Sequence, residues 1–570
     1  MSSRPAALRR RRPRPLPLLP PLLLLLAALW PRPAEPKRAF ALSYRAWTSW
    51  DLSAVTNAEG RGYGREFLTE TSVLAQSDAL AASPLQRAWG AGRTTLAVDS
   101  FWAADPTQAV DGFGRWTWNT TRFPSGAAAV SARARANGQR LGLYLNPGVA
   151  VAAVNQATPV LNGPGGSCTA ADIAWQPVSP GNRFWDTRRI NFSHPCAQTY
   201  VDSQVALLVA EGVGFLKLDA VSPGSDDSTG IDNRADVAAF SDAIARLGAD
   251  MWLTISWRID PGSAADFAPH ANAWRTSDDV DCYCDVLSAW HAVRNRFVEA
   301  VPWLPWLPRG PSGGGAGGGG GGVPDLDSLN VLQGDFDGLS ADEKLASATL
   351  WALVGAPLYT GNDLVAAGGD AAGLALLTNE EVLAVNDAAL PPQLTPASAN
   401  GTADLQTWWS GGGAGGEPLT VALFNLGNES ADVELAFADV GVAPGASLVC
   451  MRDLWLREDL GCTPNASALF RALPSHGARL LRLQVSAAPT SSAPAAAVQG
   501  ASAAPAARLP ACVPKGAWAG ACEWPNAPPA DCPFARSQLL AGVAFSGRFG
   551  AYPTSAADTW CEPLLGARGS

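Results

Sequence analysis

The chain has 570 residues, 47% of them apolar and 16% charged, with a net charge of −10. That length and apolar content exclude a wholly disordered chain and leave room for more than one domain. Residues 1–38 carry nine of the Lys/Arg and one Glu, so the rest of the chain stands at about −18, a balance that repels nucleic acid and anionic membrane surfaces and suits neutral ligands.

In chain order, Arg4, Arg9 to Arg12 and Arg14 precede an unbroken apolar run from Leu22 to Trp30. The run is shorter than the ~20 apolar residues a membrane-spanning helix needs, so residues 1–38 read as a secretory signal peptide. A signal anchor is the alternative, because no small-x-small site precedes Pro31. No membrane contact is expected once the segment is cleaved. From 39 to 392, strand-like runs (Leu96–Asp99, Leu141–Tyr144, Val213–Asp219, Trp252–Ser256, Ala356–Thr360) alternate with helix-like segments (Gly126–Asn137, Thr199–Glu211, Asp236–Leu247). Such alternation predicts parallel strands, in a barrel or a doubly wound sheet. No Gly-x-Gly-x-x-Gly turn follows the first strand, so nucleotide binding has no support.

Gly310–Gly322 is nearly pure glycine and reads as a flexible loop. Residues 393–485 change texture: Leu419–Leu426, Ala431–Ala436, Ser447–Met451 and Ala478–Val485 are short strands between Gly, Asn and Pro, the pattern of an antiparallel sandwich. An Ala/Pro/Ser linker, 486–510, leads to a cysteine-containing tail, 511–570.

Ten cysteines on a secretory route should be largely paired. Cys168 with Cys196 and Cys450 with Cys462 are the local candidates. Cys282 and Cys284, two apart, are expected to bridge elsewhere, and Cys512, Cys522, Cys532 and Cys561 cluster in the tail. Four histidines without paired spacing offer no zinc set. Sequons at Asn119, Asn191, Asn400, Asn428 and Asn465 agree with secretion. The 22 tryptophans suit stacking on sugar rings, though composition alone favours core filling.

In a parallel barrel the chemistry sits where strands end. Those ends supply Asp99, Asn146, Asp219, Ser256 and, after Trp274-Arg275, Asp278, Asp279 and Asp281. Glycoside hydrolysis needs one carboxylate to attack and one carboxylic acid to protonate the leaving oxygen, about 5–5.5 Å apart in retaining enzymes. Asp219 ends an apolar strand, and Lys217 two residues earlier points to the same face, where it would keep Asp219 ionised. An Asp after a strand also caps helices, and the acidic run 278–281 also fits a solvated turn or a calcium loop.

Several blocks, in order, resemble the α-galactosidase (melibiase) family. Trp47-Thr-Ser-Trp50 is similar to its Gly-Trp-Asn-Ser-Trp, Val98-Asp-Ser-Phe-Trp102 to Ile-Asp-Asp-Cys-Trp, and Leu216-Lys-Leu-Asp219 to Leu-Lys-Tyr/Phe-Asp. Trp274-Arg-Thr-Ser-Asp-Asp279 is similar to Trp-Arg-x-x-x-Asp, and Pro324-Asp-Leu-Asp-Ser-Leu329 to Asn-Asp-Pro-Asp-Met-Leu. Ala356-Pro-Leu, Asn379-Glu-Glu-Val, Val421-Ala-Leu-Phe-Asn425, Arg452-Asp-Leu-Trp455 and Pro474-Ser-His-Gly477 extend the resemblance over roughly 40–485.

The resemblance implies a (β/α)₈ TIM barrel followed by a C-terminal antiparallel β-sandwich that releases terminal α-D-galactosyl residues from carbohydrate with retention. The N-terminal entry signal leads to a secreted, extracellular or vacuolar-lysosomal destination. The resemblance also implies Asp219 as nucleophile and Asp279 as acid/base. Lys217, Asp99 and Arg275 would bond sugar hydroxyls, Trp50 would form an apolar wall, and Tyr144 would line the pocket. No cofactor and no metal are implied, since two carboxyls suffice. A homodimer is one assembly left open.

Two departures bear on the sugar. Ser100 stands for the second aspartate of the family's pair, and Ile255-Ser-Trp-Arg258 for its Cys-Glu-Trp, with Ser256 or Trp257 facing the substrate. The alternatives are α-N-acetylgalactosamine, against which Trp257 argues, β-L-arabinopyranose, and a non-catalytic sugar-binding barrel. Both carboxyls are present, which argues against the last.

Overall fold

The computed structural model describes residues 40–487, apart from 41, 57–60, 91, 167, 226–229, 308–321, 368–369, 413–417 and 444–445. The N-terminal segment, nearly all of the glycine run, the linker beyond 487 and the tail with its four cysteines lie outside the described residues.

Eight strands form one parallel sheet: β1 (Arg45–Thr48), β2 (Thr94–Val98), β3 (Arg140–Leu145), β4 (Val213–Leu218), β5 (Trp252–Ile255), β6 (Ala273–Arg275), β7 (Val323–Asp325) and β8 (Leu358–Thr360). Each pairs with the next in sequence from β1 to β7, and β8 returns to pair with β1. That return makes it a barrel rather than a doubly wound sheet. The β7–β8 seam carries no ladder among the described residues. Leu329 N donates across it to Tyr359 O (2.7 Å), and Tyr359 Oη donates to Asp325 Oδ1 (2.9 Å). Pro324, which cannot donate a ladder bond, is tolerated on this strand because one side of β7 is unpaired.

The helices that follow the strands are α1 (Trp50–Ala54), α2 (Glu70–Ala82), α3 (Gly126–Ala136), α4 (Ala197–Ala210), α5 (Arg234–Arg246), α6 (Trp290–Glu299), α7 (Ala341–Leu353) and α8 (Glu380–Ala388). Thr69 with Ser72 and Ser340 with Glu343 form capping boxes at α2 and α7, satisfying N–H groups that the first turn leaves open. After β5 the helix is only Ala264–Phe267.

The barrel interior is layered. At its floor Tyr44, Phe215, Trp252 and Tyr359 pack around one another, with Tyr44 4.7 Å from Phe215 and 5.3 Å from Trp252 between ring centres. Strand alternation then places Lys217 and Asp219 above Phe215 on the same inward face. The aromatic floor closes one end, so the polar upper layers open only at the strands' C-terminal ends.

The C-terminal part is a sandwich. A six-stranded antiparallel sheet runs in the order Gln393–Leu394, β9 (Leu405–Ser410), β10 (Leu419–Asn425), β15 (Ala478–Ala487), β12 (Ala446–Asp453) and β13 (Glu458–Thr463). A two-stranded sheet, β11 (Ala431–Ala436) with β14 (Ser467–Leu473), covers one face, and Val421, Leu423, Val433, Leu435 and Leu481 fill the space between. The opposite face joins the barrel: Trp408, Phe424 and Leu480 belong to the barrel's own core, with Phe424 edge-on to Phe297 of α6 at 4.9 Å.

Cys168–Cys196 and Cys450–Cys462 are bonded as expected. The expectation for Cys282 and Cys284 is corrected: they bond to each other. Tyr283 between them has φ 52°, and this turn brings the Cα atoms to 5.1 Å, within disulfide range. No helix of the described residues is long and apolar enough to cross a membrane.

Candidate active site

Strand register assembles the site in two layers. Val98 pairs with Leu143, Tyr144 with Lys217, and Lys217 with Thr254. Asp99, one residue past β2, is therefore level with Tyr144, Lys217 and Thr254. Lys217 Nζ donates to Asp99 Oδ2 at 2.8 Å. Burial opposes the Lys217 charge, but Asp99 and Asp219 outweigh it and hold the ammonium above its ordinary pKa. Burial, then Asp219 and Asp99, push the Tyr144 phenol well above its usual value, so it stays a neutral donor.

The next layer up holds Asn146, Asp219 and Ser256, each just past its strand. Leu145, Leu218 and Ile255 are successive ladder partners, so the residues that follow them stand side by side. Asp219 N bonds Leu145 O (2.9 Å) and Ser256 N bonds Leu218 O (2.8 Å). Each of the three has a buried oxygen without a protein partner: Asn146 Oδ1, Asp219 Oδ1 and Ser256 Oγ. Buried polar atoms are nearly always paired, so three adjacent exceptions make this layer the candidate position for a ligand.

Across the mouth, β6 delivers Arg275, 3% exposed. Its Nη2 reaches Asp279 Oδ1 at 2.9 Å and Asp327 Oδ2 at 2.6 Å. Burial opposes its charge, yet Asp327 and Asp279 hold it well above the ordinary value. Burial would raise the Asp327 carboxyl, but Arg275 and Arg296 outweigh it and keep it ionised. The other Asp279 oxygen accepts from Tyr283 Oη. Asp279, Asp281 and Asp327 have carboxylate oxygens within 4.8 Å of one another. Arg275 already supplies the positive charge to two of them.

Behind this group Asp51 accepts from Asn330 Nδ2 at 2.6 Å and from Ser328 Oγ. Burial, then Asp327, raise its carboxyl to about 6. Asp281 has no partner for either oxygen. Burial, then Asp51, Asp327 and Asp279, push it well above the usual carboxylate range. Gly361 makes room for Asp51: a Cβ there would stand 2.0 Å from Asp51 Oδ2.

The residues singled out from the sequence fall in these places. Trp50, Asp99, Tyr144, Lys217 and Arg275 line one cavity on the barrel axis. Trp50 stacks on Phe101 at 6.1 Å and meets Tyr283 edge-on at 6.5 Å, forming an aromatic wall. Asp219 directly follows β4, and Asp279 lies in the loop four residues past the end of β6; neither is among the residues lining that cavity. Trp257 sits at the rim, with the Arg183 guanidinium 4.0 Å over its ring and Phe184 parallel to it at 6.1 Å. Sequence reasoning missed Tyr283, whose only signal is its place beside the acidic run, and Asp51, which directly follows Trp50. It also missed Arg183 and Phe184, which carry no motif.

Two family models match: the C-terminal β-sandwich domain of α-galactosidase over residues 402–483 and α-galactosidase A over 187–388. Among curated proteins, α-galactosidase 3 of Hypocrea jecorina is 26% identical over 480 residues, covering 79% of this chain and 72% of that protein. The α-galactosidase of Coffea arabica is 28% identical over 411 residues, covering 72% and 85%. In fold the chain is similar to a GH27 β-L-arabinopyranosidase from Geobacillus stearothermophilus, with TM-score 0.63 and 24% identity over 80% of this chain and 98% of that one. With both domains matched in order, the chain is a glycoside hydrolase and belongs to the α-galactosidase (melibiase) family.

Proposed function

We propose that the chain removes terminal α-D-galactosyl residues from oligosaccharides, polysaccharides or glycoconjugates by double displacement. The observation that carries this reading is Asp219, whose buried Oδ1 has no protein partner, directly above the Lys217–Asp99 pair. A carboxylate held beside an ammonium and left with a free oxygen is poised to attack rather than to cap or brace.

In the first step an Asp219 oxygen bonds to C1 while the bond from C1 to the leaving oxygen breaks, and Asp279 gives that oxygen its proton. In the second, water attacks C1, Asp279 takes the water's proton, and the bond to Asp219 breaks. Arg275 and Tyr283 orient the Asp279 carboxyl. Lys217, Asp99 and Tyr144 present donors and acceptors to the ring hydroxyls, and Trp50 covers an apolar face of the sugar. The basic and apolar N-terminus, together with paired cysteines, supports entry into the secretory route.

Hydrolysis of nitrophenyl α-D-galactopyranoside by the full chain tests the reading. Asp219→Ala is expected to lose ~10³-fold or more in turnover, and proton NMR should find the α-anomer released first. First release of the β-anomer would sink double displacement. Asp279→Ala should cost far less on the nitrophenyl glycoside, whose leaving group needs no proton, than on a disaccharide.

Ser100 favours one second reading. Its N–H is tied to Asp99 Oδ1 at 2.7 Å, and it offers a hydroxyl where the family has a carboxylate. One lost sugar contact costs ~1–3 kcal/mol, enough to reorder similar sugars. β-L-Arabinopyranose, which lacks the exocyclic CH₂OH, is then the competitor, and comparing kcat/KM on the two nitrophenyl glycosides decides between them.

A further inference from the structure

Outside the pocket, the loop between β3 and α4 displays large aromatic side chains to water. Trp185 is 57% exposed and Phe184 47%. Trp185 also has φ 63°, a backbone region a bulky side chain rarely occupies. Both would gain by burial, and the chain instead spends structure on holding them out.

The frame beneath them is hydrogen-bonded and centred on the buried Asn182. Asn182, 0% exposed, donates from Nδ2 to Asp186 Oδ1 and Thr187 Oγ1, both at 2.7 Å, and its Oδ1 accepts from Phe184 N at 2.7 Å. The second Asp186 oxygen accepts from Asn146 Nδ2 at 2.6 Å. Asn146 is the neighbour of Asp219 in the upper layer of the site. Arg183 Nη1 donates to Ser225 O at 2.9 Å, and its guanidinium lies over Trp257, the residue after Ser256. The loop is thus tied to the ends of β3, β4 and β5, the three strands that carry the unpartnered oxygens.

Phe184 lies parallel to Trp257, with 7° between ring planes. A strip of rings therefore runs from the site outward through Trp257 and Phe184, with Trp185 next in the chain. Two cations lie next to it and both have partners: Arg183 is held by Trp257 and Ser225, and Arg258 faces Asp278 at 3.5 Å. A neutral aromatic strip on a body of strong net negative charge suits an uncharged ligand with apolar C–H faces, which is what a pyranose ring presents.

We propose that Phe184 and Trp185 form a subsite for the sugar on the leaving side of the scissile bond, so that the preferred substrate is an oligosaccharide or polysaccharide branch rather than a glycoside of a small alcohol. The inference rests on the galactosidase reading above and adds the part of the substrate that recognition extends to. Because the rings hold the departing sugar and not the reacting carbon, their contribution depends on what is attached to the scissile oxygen.

The test compares kcat/KM for raffinose with that for methyl α-D-galactopyranoside, in the full chain and in Phe184→Ala/Trp185→Ala. The ratio of raffinose to methyl glycoside should fall about tenfold in the double variant, the scale of one or two lost stacking contacts. Trp185→Tyr should recover part of it. Both side chains are largely exposed, so the variant should keep its melting temperature. An unchanged ratio in an active enzyme overturns the subsite alone. A parent that turns over neither glycoside overturns the sugar assignment and the subsite with it. A dimeric parent that becomes monomeric in the double variant, seen by sedimentation velocity, would make the strip a contact between copies and also overturn the proposal.

Discussion

Single residues here carry unusual electrostatic loads. Asp236, at the start of α5, is 2% exposed, and its Oδ1 has no partner. Burial outweighs its bonds to Asn233 and to the Gly148 backbone and raises its pKa from 3.8 to about 7. A raised folded-state pKa means that the stabilisation is fully present below pH 3.8 and is lost as pH rises through 7. Stability should therefore decline between pH 4 and 7 by at most ~4 kcal/mol from this group. Asp236→Asn should flatten that decline, which melting curves at several pH values would reveal; parallel curves for the two proteins would refute it. At Gly361, Ala would drive Cβ into Asp51. A loss of ~1–3 kcal/mol in denaturant unfolding is expected, the usual cost of overpacking.

Among the elements, α6 does the most to support the site. Arg296 on it is 1% exposed and donates to Leu326 O (2.8 Å), Asp278 O (2.6 Å) and Ala292 O, while lying 3.5 Å from Asp327. It joins the loop after β6, which carries Asp279, to the loop after β7, which carries Asp327. Arg296→Met keeps much of the volume but removes the side-chain donor to Leu326 O and Asp278 O and leaves Asp327 with one cation fewer. A destabilisation of ~3–5 kcal/mol is expected by urea unfolding. The longer elements were legible in the sequence. The expected helix Gly126–Asn137 ends one residue earlier, and Ala431–Ala436 is a strand with the expected bounds. The strands β6 and β7 were not: the three residues of β6 sit between polar Asn272 and Thr276 without an apolar run, and Pro324 argues against a strand at β7.

At the scale of the whole molecule, barrel and sandwich share one core. Trp455 Nε1 donates to Thr349 Oγ1 of α7 at 2.9 Å, and Asn379 Nδ2 donates to Leu454 O at 2.9 Å. His476 pairs with Glu343, the capping residue of α7, at 2.7 Å. With Phe424, Trp408 and Leu480 packed into the barrel's core, the two parts should unfold together. Calorimetry should find a single cooperative transition over 40–487, and a chain ending at 392 should be poorly soluble because these contacts would face water. Two resolved transitions would show the interface to be weaker than its packing implies.

The sequence by itself determined the alternation of strand and helix, the sandwich that follows, and the candidate pair Asp219 and Asp279. Those follow from local periodicity and from short motifs, each confined to a few neighbouring residues. Only the tertiary structure decided which charges meet. Lys217 bonds Asp99 across 118 residues and Ser328 bonds Asp51 across 277, and no local pattern records such contacts. The same holds for Cys282 pairing with Cys284, which depends on the backbone turn at Tyr283. It holds also for Phe184 and Trp185, because exposure depends on what the rest of the chain leaves uncovered.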